Sequence, residues 1–265
     1  MNNQPIGILD SGAGGLTIWK EIVKELPKES TIYIADSQNC PYGNKSELEI
    51  YRLASRLVQF LIQKNAKLIV VACNTITVSC LDKLREDFPD IPIVGTVPVI
   101  KTASESSKAK KIGVLSTKRT AESDYQKNLI QKFASDCKVI SVGTEELVPL
   151  VEEQRLKGAE AQSILREVLQ PFIDAKVDTL VLGCSHFPFL RQEIQRCIGS
   201  KIKILDSGEA VARQVKRVLV QNQALASDEK SVHSFITTGD PHVFSEILAS
   251  IGYNNQELRI QNLEL

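Results

Sequence analysis

Two cysteines in this chain stand in nearly the same company. Leu68-Ile69-Val70-Val71-Ala72 is an apolar run that stops at Cys73, followed by the amide of Asn74 and the hydroxyl of Thr75; Thr179-Leu180-Val181-Leu182-Gly183 stops in the same way at Cys184, followed by Ser185 and His186. A free thiol ionises at about pH 8.5, near enough to neutrality for it to serve as acid or base. Two such groups facing one carbon that carries a single removable hydrogen would take a proton from one face and deliver another to the opposite face. That exchange inverts the centre, which a single base does not easily do.

A cysteine at a strand end is ordinarily a small buried hydrophobe, and Cys40, Cys80, Cys137 and Cys197, which lack the matched context, are read that way. Placement of Cys73 and Cys184 at helix N-termini would favour the thiolate, because backbone amides and the helix dipole stabilise an anion there. Asp10 near one thiol and His186 near the other can accept or relay protons. The same amides, with Ser11, Asn74, Thr75 and Ser185, can hold a carboxylate and the charge that develops beside it. The Pro41-Tyr42-Gly43 turn either presents a phenol and backbone amides to a pocket or is a plain turn with a packed tyrosine. His233 and His242 are read as structural. Cys184 and His186 would make two metal ligands with no third in view, so no metal is expected. Nucleophilic Cys-His catalysis would leave Cys73 unexplained.

The elements that must position these groups alternate along the chain. Apolar runs at Pro5–Leu9, Thr31–Ala35, Lys67–Ala72, Ile91–Val97, Lys111–Leu115, Lys138–Val142, Asp178–Gly183, Ile202–Leu205 and Val232–Thr237 read as strands. Helical spacing falls between them, including single helices over about 120–133 and 145–157 and a last one after Gly239-Asp240-Pro241. The polar stretches 104–111 and 221–230 read as connections. Ile6-Gly7-Ile8-Leu9-Asp10-Ser11 is matched by Ile112-Gly113-Val114-Leu115-Ser116-Thr117 at nearly the separation that relates the two cysteines. The fold expected is α/β, with two pseudo-symmetric lobes, each an open, mostly parallel sheet flanked by helices. Ligand crevices in such sheets lie at the carboxyl ends of strands, where Asp10, Asp36, Cys73, Ser116, Thr117 and Cys184 fall.

At 265 residues, with 43% hydrophobic and 24% charged residues, the chain has the makings of one large or two modest cores. Lys+Arg and Asp+Glu each total 32, so net charge gives no pull towards nucleic acid or an anionic membrane. No leader-like opening and no apolar run of roughly 18 residues is present, so a cytoplasmic location without membrane attachment is expected. The six cysteines contain no C-x-x-C pair, which fits reduced thiols better than a disulfide scaffold. Gly12 and Gly14 begin a dinucleotide fingerprint that fails at Thr17. No cofactor is expected from it; the glycines can instead bring amides to a small anion.

The ordered set Asp10-Ser11-Gly12 with Gly14-Gly15-Leu16, Ala35-Asp36 before Pro41-Tyr42-Gly43, Ala72-Cys73-Asn74-Thr75, Val97-Pro98, Gly183-Cys184-Ser185-His186 and Thr238-Gly239-Asp240 resembles the glutamate racemases of bacterial cell-wall synthesis, within the aspartate/glutamate racemase family. The resemblance covers nearly the whole chain. It implies cofactor-independent interconversion of L- and D-glutamate for peptidoglycan, with Cys73 and Cys184 as the proton donors and acceptors. It also implies substrate contacts from Asp10, Ser11, Tyr42, Gly43, Asn74, Thr75, Ser185 and His186, with Thr117 and Glu152 as additions. The implied lobes are 1–97 plus 208–265, and 98–207, with the active site in the cleft between them, and the implied assembly is a homodimer. Ser185 stands where the family usually has threonine, keeping the hydroxyl and losing a methyl group; Phe187 stands where it usually has tyrosine, losing only the phenol oxygen.

Overall fold

The structure, a computed structural model, describes residues 2–227 and 230–253 and the backbone of 259–262. The chain divides into two units, 1–96 with 208–265 and 97–207, which places Val97 in the second unit.

The first unit begins with β1 (Ile6–Asp10), α1 (Leu16–Glu25), β2 (Thr31–Ala35), α2 (Glu47–Gln63), β3 (Leu68–Val71), α3 (Asn74–Asp87) and β4 (Ile93–Gly95). The second contains α4 (Ile100–Ser106), β5 (Lys111–Ser116), α5 (Lys118–Glu122), α6 (Asp124–Phe133), β6 (Lys138–Gly143), α7 (Leu147–Glu152), α8 (Ala159–Ala175), β7 (Thr179–Leu182), α9 (Arg191–Ile198) and β8 (Lys203–Leu205). The chain then returns to the first unit with α10 (Gly208–Gln221), β9 (His233–Thr237), α11 (Pro241–Ser250) and β10 (Arg259–Asn262).

The sheets run β10-β9-β2-β1-β3-β4 and β6-β5-β7-β8, and the strand pairs are parallel. The four-strand order around β1 is therefore repeated around β5. Ile6 pairs with Leu68 in one sheet and Ile112 with Thr179 in the other, so the sequence repeat is a repeat of register. β1, β3 and β7 are buried at every position, as strands covered on both faces must be. On one face of the first sheet, α2 contributes Ile50, Ala54, Leu57, Val58 and Leu61 to a core shared with Ile69 and Val71.

Three local departures from the sequence reading have physical causes. The single helix expected over 120–133 is broken at Ser123, whose extended backbone (ψ 142°) and side chain, accepting from Gln126 N, begin α6 afresh. The helix expected over 145–157 is only Leu147–Glu152, because Gln154, just past the capping Glu153, adopts a left-handed conformation (φ 55°). β10 carries no strand signal strong enough to have been read and is added at the edge beside β9.

The 221–230 connection is tied down rather than loose over its described part. Lys67, at the start of β3, donates to the carbonyls of Asn2 and Ala224 and pairs with Glu29 at 2.5 Å, both side chains being almost wholly buried. Glu29 in turn accepts from Ala226 N. Lys67→Met leaves the Glu29 carboxylate buried without its counter-charge and is expected to cost about 3–5 kcal/mol in urea denaturation, most of it recovered by adding Glu29→Gln.

His233 on β9 sits against Trp19, and its Nδ1 lies 3.0 Å from Thr31 Oγ1, which accepts from Trp19 Nε1. Burial pushes the imidazole below its ordinary pKa, so the folded chain resists a proton that the unfolded chain takes up at about pH 6.5. The stabilisation is complete above that pH and is lost as pH falls towards the folded value. The urea midpoint is expected to drop between pH 7 and 5.5, and to drop less in His233→Asn.

Candidate active site

Both cysteines follow strands that extend one residue past their last paired position. Ala72 N donates to Leu9 O at 2.8 Å, and Gly183 N donates to the equivalent Leu115 O at 2.7 Å. Each cysteine is the next residue, at the carboxyl end of a central strand.

In the first unit Cys73 caps α3, and its carbonyl accepts from Thr77 N at 3.1 Å. The amides of the first turn of a helix have no intrahelical acceptor, so they are available to an anion. Asn74 and Thr75 lie in that turn and are buried. The buried thiol of Cys73 lies 3.5 Å from Ser11 Oγ, which donates to Asp10 Oδ1 at 3.2 Å. Gly12 N fixes the same carboxylate oxygen at 3.0 Å, and the Gly12 carbonyl is held by Tyr33 Oη. Asn74 Nδ2 reaches the Thr96 carbonyl at 3.4 Å, while Thr96 N donates to Thr77 Oγ1.

Tyr42 is buried in the same core cluster as Cys73 and donates to Asp36 Oδ2 at 2.5 Å. Burial, then the neighbouring Asp36 carboxylate, with further contributions from Cys73 and Asp10, push its phenol far above the ordinary value, so it remains a donor. Gly43 follows in a partly exposed turn.

In the second unit the thiol of Cys184 lies 3.9 Å from His186 Nδ1, and His186 Nε2 lies 2.6 Å from Glu152 Oε1 at the end of α7. The carboxylate selects the tautomer with hydrogen on Nε2, which leaves Nδ1 as the acceptor facing the thiol. Cys184 is not at an α-helix N-terminus, contrary to the symmetric placement expected. A turn and a single 3₁₀ stretch at Phe187–Leu190 intervene before α9. Ser185 is buried beside it, and Phe187 is fully buried, an environment that suits the lost phenol oxygen. Thr117, at the end of β5, bonds to Thr120 and caps α5.

Cys80 and Cys197 sit among packed side chains. Burial, then the charge of Glu47, push the Cys80 thiol up to about 12, and burial raises Cys197 as well.

A family profile described as Asp/Glu/Hydantoin racemase matches residues 6–215. The chain belongs to the Asp/Glu/hydantoin racemase family. It is 39% identical over 252 residues to the glutamate racemase of Oceanobacillus iheyensis, an alignment spanning 94% of this chain and 92% of the relative. The crystal structure of glutamate racemase isoform RacE1 from Bacillus anthracis superposes with a TM-score of 0.91 at 34% identity, covering 100% of this chain and 99% of that one. Escherichia coli glutamate racemase in complex with L-glutamate and the activator UDP-MurNAc-Ala gives 0.86 at 32% identity, covering 99% of both chains.

Within each unit of this racemase the residues singled out from sequence converge in part. Asp10, Ser11, Tyr42, Asn74 and Thr75 gather around Cys73, and Ser185, His186 and Glu152 around Cys184, while Thr117 caps α5 at the end of β5. Tyr33, Asp36 and Thr238 support the first group and were not read as site residues. Asp36 carries a local signal, a carboxylate at a strand end, and Thr238 belongs to the Thr238-Gly239-Asp240 motif. A surface groove of about 500 Å3 on α2, with Asn39, Lys45, Arg52 and Arg56 in its lining, includes neither thiol. Among the described residues, no helix is long and apolar enough to cross a membrane.

Gly15 lies where Asp10, Ala72 and Tyr33 meet: a β-carbon there would come within 2.8 Å of Ala72 Cβ, 2.8 Å of Tyr33 Oη and 2.9 Å of Asp10 Cβ. Gly15→Ala must push back Ala72, the Tyr33 hydroxyl or the Asp10 side chain whose carboxylate Ser11 contacts. The substitution is expected to cost about 1–3 kcal/mol in urea denaturation and to lower racemase turnover by more than the loss of folded protein accounts for.

Proposed function

We propose that this racemase interconverts L- and D-glutamate without a cofactor, with Cys73 and Cys184 addressing opposite faces of the substrate α-carbon. The observation that carries the reading is the equivalence of the thiols: each ends the corresponding strand of a repeated sheet, and each has its own proton partner, Ser11 with Asp10 for Cys73 and His186 with Glu152 for Cys184. One thiolate removes the α-proton while the opposite thiol donates its own, so the product leaves with the proton count unchanged and the two cysteines exchange roles. The negative charge that builds beside the substrate carboxylate in this step is met by the first-turn amides of α3 and by the Asn74, Thr75 and Ser185 side chains. Asp10, Tyr42, Gly43 and His186 complete the proposed substrate contacts, with Thr117 and Glu152 at its margin.

Glutamate is favoured as substrate by the relatives, which are named glutamate racemases over nearly their full length, and by the Escherichia coli relative described with L-glutamate bound. The same reading makes the protein a cytoplasmic homodimer, and its product the D-glutamate used in peptidoglycan.

Incubation of each enantiomer in deuterated water tests the mechanism. Racemisation is expected with deuterium entering the α-carbon, and Cys73→Ala and Cys184→Ala are each expected to slow it by about 10²–10⁴-fold or more. Substrate binding without exchange in the wild type, or faster turnover of aspartate than of glutamate, would overturn the assignment.

A further inference from the structure

The Thr238-Gly239-Asp240 motif lies far along the chain from either thiol and has no part in the proton relays. Its side chains are nevertheless committed to defined positions. Thr238 N extends the β9 ladder by donating to Ala35 O at 3.0 Å, which sets Thr238 beside Asp36 just as Thr237 pairs with Ala35. The Thr238 hydroxyl then donates to Asp36 Oδ1 at 2.8 Å and accepts from Gln38 N at 3.0 Å. Gly239 allows the close approach: a β-carbon there would lie 2.8 Å from Ser37 Cβ. Asp240 does a separate job, capping α11 through His242 N.

Asp36 is fully buried, and a carboxylate in that position requires donors for its lone pairs. It has the Thr238 hydroxyl on Oδ1, the Tyr42 phenol on Oδ2, and the Asn39 amide at 3.0 and 3.1 Å from the two oxygens. Thr238 and Tyr42 thus grip opposite oxygens of one carboxylate. Rotation of that carboxylate is what would let the phenol drift, and the threonine hydroxyl is the restraint that comes from the returning segment of the chain. Tyr42 in turn packs in the cluster that contains Leu9, Cys73 and Ile76.

We propose that Thr238 is a positioning residue for the reaction, holding the Tyr42 phenol beside Cys73 through the buried Asp36 carboxylate. The inference rests on the reading of Tyr42 as a substrate contact given above. It assigns the threonine an effect on substrate binding that its distance in sequence does not announce. It also distinguishes the hydroxyl from the methyl group of the same side chain, since only the former reaches Asp36.

Thr238→Val and Thr238→Ser separate the two. Valine keeps the shape and loses the hydroxyl; serine keeps the hydroxyl and loses the methyl group. Thr238→Val is expected to raise KM for glutamate about fivefold, the net worth of one hydrogen bond, with a smaller change in kcat, and Thr238→Ser to restore the wild-type KM. An independent readout is the proton NMR resonance of the Tyr42 hydroxyl, assigned by its loss in Tyr42→Phe. It is expected to move upfield or broaden by exchange in Thr238→Val and to stay in place in Thr238→Ser. Wild-type kinetics and an unmoved resonance in Thr238→Val would overturn the proposal, as would equal impairment of both variants in step with a lowered melting temperature. If the wild-type protein does not racemise glutamate, the functional reading fails on its own, while the hydroxyl resonance still decides whether Thr238 holds Tyr42.

Discussion

The hydrogen bond from Ala72 N to the Leu9 carbonyl, and its counterpart from Gly183 N to the Leu115 carbonyl, set where the thiols stand. Each adds one rung beyond a parallel ladder and so carries the strand to the point at which the next residue must leave the sheet. Parallel sheets with covered faces are open to ligands only at such ends. A cysteine one position earlier would point into a core, and one position later would belong to α3 in the first unit and to the following turn in the second. Much else serves this placement: Gly15 leaves room where the strand ends meet, and Gly183 clears Ser116 and Pro98.

The repeat duplicates the thiol's position but not its chemistry. Cys73 caps a fourteen-residue helix and touches a hydroxyl that leads to a carboxylate; Cys184 faces an imidazole oriented by a carboxylate and is followed by a turn. A helix terminus stabilises an anion without moving a proton, whereas an imidazole can take the proton itself. Two different solutions therefore stand at equivalent places, so substitutions around the two thiols should not have interchangeable effects.

The fold and the thiol positions were legible because their signals are local. Apolar runs that end in small polar residues mark strands, and the register match of Ile6 and Ile112 with their partners is present in the sequence as a repeat. Ser123 was legible in principle, being a cap residue inside an otherwise helical stretch. What no local pattern carries depends on contacts between distant segments. Nothing near residue 152 announces His186, and nothing near residue 238 announces Asp36; those meetings are products of strand order and register. Lys67 and Glu29 belong to the same class, since a buried ion pair has no local pattern.

That ion pair, together with the pairing of β9 to β2, stitches residues from both ends of the chain into one sheet. During synthesis the first unit leaves the ribosome in two instalments, separated by the whole of the second unit. Until residues 224–237 emerge, β2 presents a bare edge and the Lys67–Glu29 pair lacks the Ala224 carbonyl and the Ala226 amide, a condition that invites non-native strand pairing. The continuous unit in the middle can complete its sheet first, leaving the thiol nearer the N-terminus to acquire its finished surroundings last.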